Sequence, residues 1–278
     1  MKHYLSAKTL SMCLIGIMLF VSIGFADQYD IGTSIGDPPQ DPAEYSIWKE
    51  SIVKQNQDNP ASSLYASTGI TSSTDGLISN EYIEFAVQNG GDYNGRFTVG
   101  TTGGNPDNPN DDNQKMLYGH PSPHTSYTTI RVDGVNYTYK PATQYPTVNP
   151  SDFSNISEET IQNVSIKQVI SIIESTSTQR KDTIQIKYIV KNNDSLGHEL
   201  GLRIIMDTML GSNDRAPFRV PGIGSVTKEI ELSGDDIPEY WQAFDSLSSP
   251  VIISQGTLRN QGNNPDKVQF TNWGRVYY

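Results

Sequence analysis

The sequence predicts a mainly β fold, a large antiparallel β-sandwich with long strands, preceded by a signal peptide and a short N-terminal helix and linker region. From Leu77 onward, apolar residues alternate with polar residues at a period of two, which is typical of half-buried strands. Turn residues separate nearly all of these runs, as expected for antiparallel connections. The chain has 278 residues and can therefore bury a core of this size without disulfide bonds.

The first 26 residues have the three regions of a secretory signal peptide. Lys2 and Lys8 make the start positive, Cys13 to Val21 is apolar apart from one glycine, and Gly24-Phe25-Ala26 offers small residues for a peptidase. We predict cleavage after Ala26 and a location outside the cell, either secreted or at the cell surface. A membrane span needs about 20 apolar residues, so we expect no span in the mature chain.

Removal of residues 1–26 leaves 252 residues and takes away Cys13, the only cysteine, so no intrachain disulfide can form. The mature chain keeps 18 basic residues against 31 acidic residues, a net charge of −13. This balance, without a cluster of Lys and Arg, excludes nucleic acid and anionic membranes as partners. An acidic surface is compatible with binding of calcium as well as with simple solvation.

The mature chain divides into an N-terminal extension, residues 27–76, and a β-sandwich domain, residues 77–278. Within the extension, Asp41 is a candidate N-cap, Pro42 suits the first turn and Glu44 completes a capping box, so a short helix to about Gln55 is expected. The chain ends at Tyr278 inside a strand-like run. Either further strands of the domain are missing, or this run closes an edge of the sheet.

Alternating apolar residues place the strands in order along the domain. Ile83, Phe85 and Val87 mark one strand, and Arg96 to Thr101 forms the next. The firmest prediction is a hairpin over Tyr127–Tyr139, because Asp133-Gly134 between apolar runs favours a type I′ turn. Further strands are expected at Asn163–Glu174, Thr183–Lys191, Leu202–Leu210, Lys228–Leu232, Val251–Leu258 and Val268–Tyr277, and Pro238–Leu247 can be read as a short helix.

A loop rich in oxygen ligands lies between Gly103 and Asn113. Calcium takes six to eight oxygens from carboxylates, amides and carbonyls, and the loop supplies such groups, although not at the spacing of an EF-hand. The alternative is a solvated Asn/Asp/Pro turn. The candidate calcium ligands are Asn105, Asp107, Asn110, Asp111 and Asp112.

A second group of residues suits recognition of a sugar, which offers hydroxyls for hydrogen bonding and a CH face for stacking. A predicted strand carries Asp207 outward or into a polar pocket, a turn follows the strand, and two arginines come after the turn. A set of aromatic residues near the end of the chain could provide stacking platforms. Its members are Tyr240, Trp241, Phe244, Trp273, Tyr277 and Tyr278. The alternatives are an internal salt bridge for the charged residues and a place in the core for the aromatic ones. The candidate ligand-binding residues are Asp207, Asn213, Asp214, Arg215, Arg219, Trp241 and Trp273.

Catalysis, if present, has to come from pairs of carboxylates, as in glycosidases. No spacing selects a pair, and the chain lacks a nucleophile motif or a phosphate-binding loop. His120 and His124 are four residues apart, but Pro121 and Pro123 exclude a helical zinc site there. An extended loop over these residues could still bind a metal beside Asp111 and Asp112. The candidate carboxylates are Asp207, Glu229, Glu231, Asp235, Asp236 and Glu239.

Four runs of the sequence are distinctive: Arg96–Asp112, Leu117–Gly134, Gly201–Gly222 and Ile237–Leu247. They resemble a domain of unknown function in secreted and surface-attached bacterial proteins, often beside Ig-like, PKD-like or dockerin-like modules. The resemblance covers about Leu77 to Tyr277. It implies a large β-sandwich at the cell exterior, and it implies no reaction or ligand.

Three hypotheses about function follow. The first is a secreted, non-catalytic β-sandwich module that binds a polysaccharide or a cell-surface protein, with calcium bracing a loop. The second is a carbohydrate-active, glycosidase-like enzyme with paired carboxylates. The third is a purely structural module of a surface assembly.

Overall fold

The computed structural model of the chain describes residues 13–15, 21–22, 76–141, 153–175, 177–259 and 263–276. Strands make up 48% of the structure and helices 5%, so the predicted mainly β fold with several antiparallel sheets is confirmed. Within these residues, no helix has the length and apolar character needed to cross a membrane. The helix predicted between Asp41 and Gln55 lies outside the described residues.

Most of the described strands follow the alternation seen in the sequence. In chain order they are β1 (Cys13–Ile15), β2 (Val21–Ser22), β3 (Leu77–Ser79), β4 (Ile83–Val87), β5 (Phe97–Thr101), β6 (Tyr127–Val132), β7 (Val135–Thr138), β8 (Ser154–Ile161), β9 (Val164–Ile173), β10 (Thr183–Asn192), β11 (Leu200–Asp207), β12 (Phe218–Val220), β13 (Gly224–Val226), β14 (Ile230–Ser233), β15 (Tyr240–Phe244), β16 (Ile253–Thr257) and β17 (Lys267–Phe270). One α-helix, α1 (Trp273–Val276), follows, and single 3-10 turns lie at Pro109–Asp111 and Gly234–Asp236.

The described strands form five hydrogen-bonded groups. Three groups have four strands each, in the orders β1-β10-β9-β8, β2-β11-β6-β7 and β13-β12-β15-β16. The smaller sheets are β3-β4-β5 and β14-β17. Their pairings are antiparallel, except that β2 runs parallel to β11.

Two tight turns with positive φ at both central residues connect the β6–β7 and β8–β9 hairpins. Asp133 and Gly134 have φ angles of 48° and 84°, so the predicted turn between β6 and β7 has positive φ at both central residues, as a type I′ turn requires. Gln162 and Asn163 join β8 to β9 with φ angles of 47° and 64°. This second turn contains no glycine and was not predicted.

The end of the described chain differs from the prediction. The strand expected over Val268–Tyr277 stops at Phe270, and residues 273–276 form α1. Asn272 explains the change of direction, because its side-chain oxygen accepts a hydrogen bond from the Gly274 amide at 2.8 Å and caps the turn. The short helix considered for Pro238–Leu247 is instead strand β15, in which Trp241 and Ala243 are buried.

One apolar cluster connects the sheets. It includes residues from β3 to β17. Within it, the Phe218 ring contacts two other aromatic rings. The centroid of that ring lies 5.2 Å from the Trp241 ring and 5.4 Å from the Phe270 ring. Aromatic pairs at these distances stabilise a core beyond the area that they bury. The sheet that contains β12 and β15 is therefore held against the core by its inner face.

A buried polar network also links strands of two different sheets. The Tyr188 hydroxyl on β10 accepts a hydrogen bond from Gln168 Nε2 on β9 at 2.7 Å and pairs with Thr128 Oγ1 on β6 at 2.5 Å. Gln168 Nε2 also donates to the Gly95 carbonyl at 3.2 Å. Burial raises the pKa of Tyr188 to about 12, so the phenol stays neutral and keeps both hydrogen bonds. The network aligns β6 with β9 and β10.

The Tyr188→Phe variant tests how much this network contributes. It leaves the buried polar groups of Gln168 and Thr128 without their shared partner, which costs about 1–3 kcal/mol of unfolding free energy. Tyr137→Phe is the matched control, because the Tyr137 hydroxyl accepts from Gln162 at an exposed site. Urea denaturation of both variants measures the difference, and equal unfolding free energies would contradict the role given to the network.

Candidate functional site

The sheet formed by β13, β12, β15 and β16 has one face in the core and one in solvent. Side chains alternate along each strand, so the buried Trp241 and Ala243 on β15 are separated by Gln242, which lies on the outer face. On β16 the buried Ser254 and Gly256 alternate in the same way with exposed residues. The outer face of this sheet is defined by Arg219, Ser225, Tyr240, Gln242, Ile253, Gln255 and Thr257. Phe244 lies on the same side of β15, but it is buried, with the Arg219 guanidinium over its ring.

A row of polar side chains crosses the outer face. The strand register places Ser225 opposite Arg219, Arg219 opposite Gln242, and Gln242 opposite Gln255. Gln242 Nε2 donates to Gln255 Oε1 at 3.1 Å. With strands about 4.8 Å apart, the four residues span roughly 14 Å. This row presents guanidinium, amide and hydroxyl groups, which can donate to and accept from a polar ligand.

Aromatic and apolar side chains flank this row. Tyr240 lies at one end of β15 and is 36% exposed, while Ile253, opposite Phe244, is 51% exposed. The Arg219 guanidinium carbon lies 5.1 Å from the centre of the Phe244 ring, within the range of a cation–π contact. The stacked ring restrains Arg219, so the guanidinium is presented on the sheet surface in a defined position.

The structure brings two of the predicted ligand-binding residues to one loop. Asn213 Nδ2 donates to the Asp245 carbonyl at 2.8 Å, and Arg219 donates to the Leu247 carbonyl at 3.4 Å. Asp214 and Arg215 are half-buried in the same turn as Asn213, whose side-chain oxygen accepts from the Arg215 amide at 2.9 Å. This turn and the loop after β15 therefore border the outer face together.

Three other predicted residues lie inside the protein. Trp241 is 2% exposed, Trp273 is 1% exposed and Asp207 is 2% exposed. Trp273 packs with Tyr127 and Ile205 in a separate small cluster, and its indole nitrogen donates to the Thr125 carbonyl at 3.3 Å. Both tryptophans are core residues, the alternative already considered for them, and neither ring offers a face for stacking.

Tyr240 is an exposed aromatic residue that belongs to the aromatic set considered for stacking, but it was not chosen among the candidate ligand-binding residues. The two adjacent aromatics of β15 are Tyr240 and Trp241, and successive residues of a strand point to opposite faces. The assignment therefore depends on which of them faces the core. The signal that distinguishes them is Ala243, since the small buried residue two positions after Trp241 shares its face.

The Asn/Asp loop is closed by its own hydrogen bonds. Both carboxylate oxygens of Asp111 accept from the Asn105 amide, at 3.2 and 3.1 Å, and Asn105 Oδ1 accepts from the Asp107 amide at 3.2 Å. Burial raises the pKa of Asp111, and the neighbouring charge of Asp112 raises it further. Within the described residues, no group of three or more His, Cys, Asp or Glu side chains is arranged to hold a metal ion. Calcium binding by this loop stays a prediction.

The candidate catalytic carboxylates include two that are paired with cations. Glu229 accepts from Arg275 at 3.1 Å and from the Asn272 amide at 2.8 Å. Glu231 pairs with Lys267 at 2.7 Å, and this contact lowers the pKa of Glu231. A glycosidase acid needs a raised pKa, so the environment of Glu231 does not suit that role.

Two histidines lie in well-defined polar clusters. The buried His120 ring contacts Glu84 Oε1 through Nε2 at 2.8 Å and Thr98 Oγ1 through Nδ1 at 3.0 Å, and burial lowers its pKa. A β-carbon on Gly100 would lie 2.4 Å from this ring, so the backbone packs directly against it. Since Thr98 is fully buried, this arrangement braces the sheet and offers a substrate no access.

His198 fastens the loop between β10 and β11 to the turn between β6 and β7. Its ring nitrogens lie 2.7 Å from Asp133 and 3.1 Å from Asp194. The hydrogen bond to Asp133, followed by that to Asp194, raises the pKa of His198. The protonated imidazole can donate to both carboxylates, so the cluster holds the two loops together. These loops connect strands of other sheets and do not belong to the outer face.

The Gly256→Ala variant tests the packing that supports the outer face. A β-carbon at this position would lie 2.3 Å from the Trp241 ring, so the ring must shift, and such overpacking costs about 1–3 kcal/mol. Gly197→Ala is the control, because a β-carbon there meets no atom within 4 Å. Urea unfolding followed by tryptophan fluorescence measures both, and an unchanged midpoint for Gly256→Ala would refute the close contact.

Comparison with protein-family models, with curated proteins and with solved structures gives no match for this chain. The proposed function therefore rests on the geometry of the described residues.

Proposed function

We propose that this chain is a secreted, non-catalytic β-sandwich module of the cell exterior that binds a polysaccharide through the outer face. In this proposal residues 1–26 are removed as a signal peptide. The sheet that contains β10 and the sheet that contains β11 pack as the two layers of the sandwich. The resemblance to the domain of secreted bacterial proteins agrees with this location. Both the resemblance and the location stay predictions.

One observation carries the proposal: the row formed by Arg219, Gln242 and Gln255 lies beside the exposed ring of Tyr240. Sugar hydroxyls are paired donors and acceptors, which amide and guanidinium groups can match in a bidentate manner. An exposed aromatic ring can stack on the CH face of a sugar, and its hydroxyl remains available to water or ligand. An open sheet surface suits an extended polymer better than a small molecule, which prefers a concave pocket.

The charged environment of the carboxylates supports a non-catalytic role. Glu229 and Glu231 are held by Arg275 and Lys267, and the depressed pKa of Glu231 keeps that carboxylate ionised. No specific observation among the described residues favours the glycosidase hypothesis over binding. The structural-module hypothesis differs from ours only in predicting that the outer face has no ligand.

Substitution of the outer face should weaken binding to the polysaccharide that a glycan array identifies. We expect Tyr240→Ala and Arg219→Ala each to weaken binding about tenfold, since removal of a central aromatic or arginine contact typically costs more than 1 kcal/mol. Tyr240→Phe keeps the ring and should bind nearly as the parent chain does. Arg131→Ala removes an exposed arginine from β6 and serves as the charge-matched control.

The array itself decides between this proposal and the alternatives. Absence of binding to every glycan by the folded chain would refute the proposal and favour a structural module. Release of a shortened glycan during incubation would instead indicate a hydrolase, and a carboxylate pair would then have to be found by substitution.

Calcium at the Asn/Asp loop gives a separate prediction. Burial, and after it the charge of Asp112, raises the pKa of Asp111, and a bound cation would favour the ionised carboxylate against both effects. A ligand that binds only the native state stabilises it, so millimolar calcium should raise Tm relative to EDTA. Asp111→Asn should abolish this rise. Equal Tm values in calcium and EDTA for the parent chain would eliminate the calcium site.

A further inference from the structure

The outer face carries almost no charge, although the chain as a whole is acidic, with 31 acidic residues against 20 basic ones. In the four described strands that form this face, Arg219 is the only charged residue. Other strands differ, since β14 carries Glu231 and β17 carries Lys267. The outer face therefore presents a single positive charge, and its own strands supply no carboxylate to neutralise it.

The Arg219 guanidinium is held in place by uncharged contacts. It lies over the buried Phe244 ring and donates to the Leu247 carbonyl at 3.4 Å. Within the part of the chain that the structure describes, no Asp or Glu oxygen lies within 4.0 Å of it. Lys267 and Arg275 differ, because Glu231 and Glu229 pair with them. A guanidinium has five N–H donors, so most of those of Arg219 are available to a ligand.

The residues around Arg219 leave its charge unneutralised. Gln242 lies directly opposite Arg219 on β15, where a glutamate of the same length would form a favourable cross-strand ion pair. Asp245 follows β15, but its Oδ1 accepts from the Val251 and Ile252 amides at 2.9 and 3.0 Å, which closes the loop before β16. The row thus offers amides beside a cation, and the carboxylate that would complete the set is missing from its strands.

We propose that the polysaccharide bound by the outer face is anionic, with carboxylates on its sugar units, and that Arg219 binds one of these carboxylates. This inference rests on the proposed function of the outer face and names the class of its ligand. A guanidinium and a carboxylate can form two parallel N–H···O hydrogen bonds, which are stronger than bonds between neutral groups. The amides of Gln242 and Gln255 then pair with hydroxyls of the same polymer.

The position of Arg219 makes this contact favourable. Exposed ion pairs usually contribute little, partly because two flexible side chains must be ordered. The contacts with Phe244 and Leu247 restrain Arg219 before the ligand arrives, which reduces that entropic cost. Tyr240 lies two residues from Gln242 along β15, a separation of about 7 Å, so the stacking ring and the guanidinium both reach one extended ligand.

The net charge of the protein makes the expected selectivity informative. An acidic chain repels polyanions at long range, so they do not adsorb to it through overall charge. At physiological ionic strength this repulsion is screened beyond about 8 Å. A preference for a carboxylated polymer under these conditions therefore reports a local contact with a cation.

The test compares carboxylated polymers with their neutral counterparts on the folded chain. The probes are oligosaccharides of polygalacturonate and polymannuronate, each with its carboxyl-reduced form, at physiological ionic strength. EDTA is present so that calcium cannot bridge the probe to an acidic loop. We expect at least one probe to bind about tenfold more tightly than its reduced form. Titration calorimetry measures both affinities.

Substitution of Arg219 assigns that preference to one residue. Arg219→Gln should bring the ratio of the two affinities close to one, since the amide keeps hydrogen bonding without the charge. Arg131→Gln is the matched control, because Arg131 is exposed on β6 and its printed contact is with the uncharged Asn136. The control should keep the tenfold preference, a difference of about 1.4 kcal/mol.

Gln242→Glu tests the same contact without removing the arginine. The new carboxylate lies opposite Arg219 and neutralises it, so the affinity for the carboxylated probe should fall about tenfold. The affinity for the reduced probe should fall less. Tm should be unchanged or raised, because the new cross-strand ion pair is favourable, and the variant is informative even if Arg219→Gln does not fold.

Three outcomes would overturn this inference and leave the proposed polysaccharide function standing. The first is equal binding of the carboxylated and reduced probes, or tighter binding of the reduced ones. The second is an unchanged preference in Arg219→Gln and Gln242→Glu. The third is binding of a sulfated polysaccharide in place of the carboxylated probes. Absence of binding to every glycan would refute the proposed function itself, and this inference with it.

Discussion

The position of the β8–β10 sheet relative to β6 of the neighbouring sheet depends on one buried hydroxyl group, that of Tyr188. It joins Gln168 on the adjacent strand to Thr128 on β6, and both partners are buried almost completely. A hydrogen bond in such surroundings contributes little net free energy when it is made, but a lost partner is costly. A sheet that slid by one residue would lose this set of bonds. The network therefore selects one relative position of β6, β9 and β10, which apolar contacts alone would leave less well defined.

Because side chains alternate along a strand, the residues that pack into the core determine which residues lie on the outer face. Trp241 packs over Gly256 on the inner side of β15 and β16, and this close contact fixes which residues of the two strands face solvent. Tyr240, Gln242 and Gln255 are consequently presented together. The core and the proposed binding surface lie on opposite faces of the same four-stranded sheet. A core substitution that shifts a strand therefore also shifts the side chains on the outer face.

The sequence predicted the long strands because their periodicity is strong, and the Asp133-Gly134 turn because its chemistry is specific. Strand β8 was missed, since its Ser, Asn and Glu residues weaken the pattern and the Gln162-Asn163 turn lacks glycine. Residues 273–276 were taken for strand, although Asn272 caps a turn there. For the site, Arg219 was identified, but Trp241 was chosen where Tyr240 is exposed. Composition indicates that aromatics are present, whereas the face that each occupies depends on contacts with distant residues.

The pairings described above also differ in how far apart along the chain their partners lie. β8, β9 and β10 pair through consecutive connections, so each closes a short loop. β11 pairs with β6, with Leu200 opposite Val132, 68 residues apart by difference of their numbers. Closing a longer loop has a larger entropic cost, and pairings of high sequence separation slow folding. We therefore expect the meander of β8 to β10 to form from local contacts before the β6–β11 pairing closes its longer loop.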